Sequence, residues 1–247
     1  MFHPLEIKPC WCKVIHDPII LTTTLAIVLA VPRFVWILGG QYNLIILVFL
    51  IMWILPFVFL TKNGRKAIGI CRPTNIQWLF YGFLLGAISS VIIYLIGIIL
   101  YDRSADNWYV TIMATFDKGN LISQIKPHPG FFLLITFPAM LFSPIGEEFF
   151  FRGMLHESYR ARLGNVKASV IDAAFFGFTH LAHHGLVYQS SNLKFHPSGI
   201  IWILLMMMVS ILLSFVRIKN GSIWGAVVCH AGFNLGMMGS IVYLLHD

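Results

Sequence analysis

The chain has 247 residues, 58% of them hydrophobic and 11% charged, with a mean hydropathy of +0.80. Soluble domains run at about 45–50% apolar and about 25% charged, so a water-soluble globule or a disordered chain is excluded and a polytopic membrane protein is left. The formal charge of +7 comes from seventeen Lys and Arg scattered between apolar runs without a basic stripe, which sets nucleic acid aside as a partner.

A helix needs about 20 apolar residues to cross the hydrocarbon core. Taken in chain order, seven runs qualify: 18–38, 44–60, 76–100, 130–155, 167–183, 199–216 and 222–245. The fold class expected is therefore all-α, a polytopic transmembrane helical bundle of about seven spans, within a range of six to eight. The chain divides into an N-terminal segment (1–17), a variable hydrophobic half (18–129) and a half that carries the chemical motifs (130–247). Cys10 and Cys12 precede the first run, where a lipidated thiol is conceivable by position. With Cys71 and Cys229 they form no zinc-type pair of knuckles and read as structural or surface thiols.

The first run is interrupted by Pro32 and Arg33, and no small-residue cleavage pattern follows it, so it reads as a retained signal-anchor. The stretch 106–116 is too short to cross and carries Trp108 and Tyr109, which suits an interfacial helix or an ordered loop. Eleven basic residues fall on one side of the bundle: Lys8 and Lys13, Lys62, Arg65, Lys66 and Arg72, Arg160, Arg162 and Lys167, and Arg217 and Lys219. Five fall on the other side, so the positive-inside rule puts the N-terminus in the cytoplasm.

Charges inside a span are costly and are functional candidates. Glu147, Glu148 and Arg152 are three of them. In a helix Glu148 and Arg152 are i and i+4 neighbours that can pair, while Glu147 points about 100° away and is left to face a cavity and take a proton. A structural ion-pair network is the alternative for the three together. Phe176 with His180, and His230 with Asn234, are further i and i+4 pairs, each on one helical face. At about 1.5 Å per residue, Glu147, His180 and His230 fall between the basic end and the midplane, which permits one shared site.

EExxxR at 147–152, FxxxH at 176–180 and HxxxN at 230–234, in that order on successive apolar helices, resemble the CPBP family. That family comprises the type II CAAX prenyl endopeptidases and the bacteriocin-processing or Abi proteins, and is also called the lysostaphin-resistance-like group. The resemblance covers roughly 131–237. It implies an all-helical intramembrane endopeptidase whose site opens to the cytoplasmic side; the short chain without a long extra domain points to a multi-pass protein of a bacterial cytoplasmic membrane. Its substrate would be a membrane-associated peptide or a lipidated protein, in contact with the lipid bilayer; the sequence assigns no oligomeric state. By the same resemblance Glu147 activates water with help from His180, His230 and Asn234 stabilise the oxyanion, and Glu148 with Arg152 holds the site together. Glu147, His180 and His230 would also suffice as ligands for one divalent metal such as zinc, and a metal-free glutamate mechanism is equally compatible.

Four residues lie beyond the pattern. Asp172 and His156 read as interfacial, and His183 and His184 as the outer rim of the fifth span. Together with His180 the last two form a His-x-x-His-His box like those of membrane di-iron enzymes, but His3, His16, His128, His156, His196 and His246 supply no second box. There is no HExxH, no GxGD and no serine-protease pattern. Two rivals from other classes remain: a non-catalytic scaffold that regulates another membrane protein, and a proton-coupled transporter.

Overall fold

A computed structural model describes residues 5–15, 17–116, 129–189 and 192–245. His3, His16, His128 and His246 lie outside the described residues. Helix α1 (Pro18–Leu38) starts on Pro18 with the Asp17 carboxylate accepting from the Ile19 N–H at 2.9 Å, and it continues through Pro32 and Arg33. A single 3-10 turn leads into α2 (Ile45–Phe59), followed by α3 (Gln77–Tyr101) and the short α4 (Trp108–Phe116). Next, α5 (Pro129–Glu147) passes into a π-helical segment (Glu148–Leu155) and on into α6 (His156–His180). A hairpin of β1 (Leu186–Gln189) and β2 (Asn192–Phe195) precedes α7 (Ser198–Asn220) and α8 (Ile223–Gly239). Gly221, at φ 75°, supplies the left-handed residue that ends α7, and Ser222 caps α8.

Among the described residues six helical stretches are long and apolar enough to cross a membrane, one of them the 49-residue run Phe132–His180. That run is not one rod, because Gly164 adopts φ 77°, ψ 171° and turns the chain back. His156 Nδ1 lies 2.8 Å from Asp172, and the Phe151 and Phe176 rings are 5.6 Å apart, so residues equally distant from Gly164 face each other. Its two antiparallel arms bring the passes to seven.

Apolar side chains face outward and charges inward, as lipid solvent demands. Ile99 on α3 is 80% exposed, whereas Arg33, Glu147, Glu148, Arg152 and Asp172 are buried. Helices α3 and α8 approach to backbone contact: a Cβ on Gly86 would strike the Cys229 carbonyl, and one on Gly232 would strike that of Phe83. This contact backs the α8 segment that carries His230 and Asn234.

One end of the bundle is knitted by Thr61 N–H to Glu6 carbonyl (3.1 Å), Thr74 N–H to Asn220 carbonyl (3.1 Å), Arg162 to Asp17 (3.0 Å) and Arg217 to Glu157 (2.9 Å). The segments carrying the eleven basic residues named above meet at this end. The opposite end gathers the turn before α2, the start of α4 and the β-hairpin, with His196 on Asp106 at 2.9 Å.

Three expectations are corrected by this packing. Helix α4 is not interfacial: Trp108 stacks on Trp202 at 5.9 Å and the Tyr109 hydroxyl meets that of Ser90 at 2.7 Å, so both aromatics find polar partners inside and are fully buried. Asp172 is not interfacial either, since it accepts from Ser210 at 3.1 Å and pairs with His156, itself 4% exposed. Arg33 does not break the first span, because its partner lies across the bundle.

Candidate active site

The π-helical segment places two neighbouring carboxylates in different surroundings. Pro144 and Gly146 precede it, and Gly146 lies so close to the Phe49 backbone that a Cβ would collide with it. Glu148 pairs with Arg152, Nε to Oε2 at 3.2 Å, as the i, i+4 spacing predicts. Its other oxygen, Oε1, is 2.8 Å from His230 Nδ1. A carboxylate here accepts, so Nδ1 carries the proton and His230 turns Nε2 toward Glu147 Oε2, 3.7 Å away. The Arg152 guanidinium lies 4.1 Å from the centre of the Phe176 ring, and Arg217 donates to the Arg152 carbonyl, tying down the π turn.

Glu147 is not the solitary carboxylate expected from sequence. Arg33 Nη1 donates to its Oε1, and the Ser143 hydroxyl donates to Oε2 at 3.1 Å. The other branch of the Arg33 fork, Nη2, is 3.0 Å from His183 Nε2 and 3.5 Å from His180 Nε2. A guanidinium only donates, so His183 accepts on Nε2 and turns its Nδ1–H to the Tyr42 hydroxyl at 3.2 Å. His180 Nδ1 donates to the Phe176 carbonyl at 2.7 Å, which leaves its Nε2 lone pair facing the site. Trp202 Nε1–H fixes the His180 carbonyl at 3.0 Å.

Asn234 Nδ2 donates to the Ala139 carbonyl at 2.8 Å, which fixes the amide in place with its remaining groups toward a cavity of about 260 Å³. Arg33, His180, His183, His230 and Asn234 line this cavity among aromatic and aliphatic side chains; Glu147 sits just behind Arg33 and Ser143. The structure therefore brings Glu147, His180, His230 and Asn234 to one place, with Glu148 and Arg152 packed behind His230.

The cavity walls run from His230 and Ser143 up to Ile135, Met237, Tyr42 and Asn43, toward the end opposite the basic loops. The lining thus extends toward the end opposite the basic loops rather than toward the basic end expected from sequence. Arg33 and His183 are the residues that sequence reading missed. The signals were present, a charge inside an apolar run and a histidine one residue short of a full turn after His180, but nothing on their own helices named their partners.

The expected metal set does not suit a metal ion here. Among the described residues no group of three or more His, Cys, Asp or Glu is arranged to hold one. Of that set, Glu147 Oε1 and the His180 Nε2 lone pair face the Arg33 guanidinium, and a metal ion drawn to them would meet like charge.

No curated protein and no solved structure matches the chain. Residues 129–236 match the family model described as Type II CAAX prenyl endopeptidase Rce1-like. The matched stretch holds Glu147, Glu148, Arg152, Phe176, His180, His230 and Asn234, and leaves out Arg33 and Tyr42. Residues 129–236 of this multi-pass membrane protein are thus similar to the Rce1-like family, in agreement with the three ordered motifs they carry.

Proposed function

We propose that this chain is an intramembrane endopeptidase that hydrolyses a peptide bond in membrane-associated peptides or lipid-modified proteins. The convergence of Glu147, His180, His230 and Asn234 at the head of an apolar cavity supports this reading. Glu147 Oε2 holds and deprotonates the attacking water with help from His180 Nε2, and the tetrahedral oxyanion is met by His230 and the Asn234 amide. Glu148 stabilises the charge that His230 gains when it takes up a proton, and Arg152 holds Glu148 in place. No step is routed through a metal.

The apolar walls accept an extended peptide or a lipid-bearing residue, and few polar groups other than the site itself compete for the scissile amide. With the basic end in the cytoplasm, the cavity lies on the extracytoplasmic side of the catalytic level. Cysteine-labelling from each side of sealed vesicles, at Asn43 and at Lys219, tests that orientation.

The activity test compares peptide termini in membranes carrying the wild-type chain or Glu147→Ala at matched expression. Termini that vanish in the variant establish proteolysis and name the substrates. Unchanged termini, with full function of Glu147→Ala in a deletion strain, overturn the reading in favour of a scaffold.

A further inference from the structure

Arg33 lies on α1, outside the stretch that matches the family, yet it touches three groups of the site. Its side chain is 2% exposed, and a charge buried in a span needs a compensating partner. Here the compensation is shared: one branch of the fork meets Glu147, the other meets His183 and His180, and the Phe49 ring lies 5.6 Å from its centre. His183 is itself braced by Tyr42, so the guanidinium is held from α1, from the turn before α2 and from the end of α6 at once. Resting on the peptidase reading above, we propose that Arg33 is a positioning residue that completes the site from the N-terminal half, its guanidinium standing where a divalent cation would otherwise be held.

The argument is one of lone pairs. Arg33 engages Oε1 of Glu147 and leaves Oε2 directed at His230 and Ser143, so only one carboxylate oxygen is offered to water. It also settles the tautomer of His183 and draws the His180 Nε2 lone pair to the same point. A planar fork can serve a carboxylate on one branch and imidazoles on the other, whereas an ammonium is a point charge. A metal would need the same lone pairs, which is why the two occupants exclude each other.

The test uses the full chain, purified in lipid nanodiscs, with a peptide taken from the termini comparison as substrate and Co2+ as the metal probe. Arg33→Ala is expected to lower kcat about 100-fold with a smaller change in KM, and millimolar guanidinium is expected to restore at least about tenfold by filling the vacated space. Arg33→Lys stays closer to the alanine variant than to wild type. Co2+ gives no ligand-field spectrum with wild type and a one-to-one spectrum with Arg33→Ala, where Glu147, His180 and His183 lose the guanidinium between them and draw together on the ion; Arg33→Met replaces the alanine variant if that melts early. Wild-type kcat in Arg33→Ala, loss without guanidinium rescue in a folded variant, or stoichiometric Co2+ at this site with Arg33 in place each overturn the proposal. If the wild type cleaves nothing, the peptidase reading fails separately, and the Co2+ arm still decides Arg33: gain of a site in the variant supports it and no gain overturns it.

Discussion

Glu147 and Glu148 are adjacent in the chain and both fully buried, but they belong to two differently built regions. Glu148 faces the packed side, where its partners are Arg152 four residues on and His230 across one helix contact, with the Phe176 ring beneath the arginine. Glu147 faces the cavity side, where its cation comes from α1, more than a hundred residues earlier. The packed region is assembled from the matched half of the chain. The cavity region joins both halves, and its charges lie beside space that a substrate can enter. The difference teaches that one residue of register on a helix separates a carboxylate locked into packing from one left beside open space.

Substitutions can break that contrast. Glu148→Ala leaves the Arg152 charge buried and unpaired, with Nη1 and Nη2 already lacking acceptors among the described residues, at a cost of about 3–5 kcal/mol. A large fall in the unfolding midpoint is expected, partly recovered in Glu148→Ala combined with Arg152→Met. Glu147→Gln keeps an oxygen acceptor for Arg33 but removes its counter-charge, so the midpoint is expected to fall less than in Glu148→Ala while activity drops about 1000-fold, the range for loss of a general base. A midpoint that falls as far as that of Glu148→Ala would erase the distinction. Gly86→Val pushes α8 away from α3 and should cost about 1–3 kcal/mol, with activity falling because His230 moves with its helix. Phe176→Leu removes the ring under Arg152 and should cost about 2 kcal/mol, readable as a smaller shift in the same melting assay.

The mildest effect concerns pH at the far end. His184 is bonded to Ser198 at 2.8 Å and to Thr111 at 3.0 Å, and burial, with His196 nearby, lowers it to about 4. The unfolded chain takes up this proton near pH 6.5, before the folded one does, so the contribution is complete above that value and is lost as pH falls toward 4. Melting midpoints of wild type against His184→Gln over this window measure it, with a shallower decline expected in the variant.

The spans, the three motifs and the Glu148–Arg152 pair were legible because each is a property of one helix: apolar length, or spacing of three and four residues. Arg33 was not, since a charge after a proline looks the same whether it ends a helix or crosses a bundle, and only the partner decides. His183 and Asp172 were misplaced for the same reason, as rim and interface are inferred from distance along a helix while their hydrogen bonds run across it. The cavity's direction was hidden because its lining comes from several helices at once.

Gly164 has a consequence for how this chain tolerates change in length. Glu147 precedes it by seventeen residues and His180 follows it by sixteen, so the two arms act as the legs of a caliper with the turn as its pivot. A residue inserted into one leg alone rotates its tip by about 100° and slides it about 1.5 Å, which separates the carboxylate from the imidazole. Residues added at the pivot, where a Cβ on Gly164 would meet nothing within 4 Å, leave both tips where they are. That turn is accordingly the place in the second half of the chain where a tag or a reporter domain can be inserted without disturbing the site.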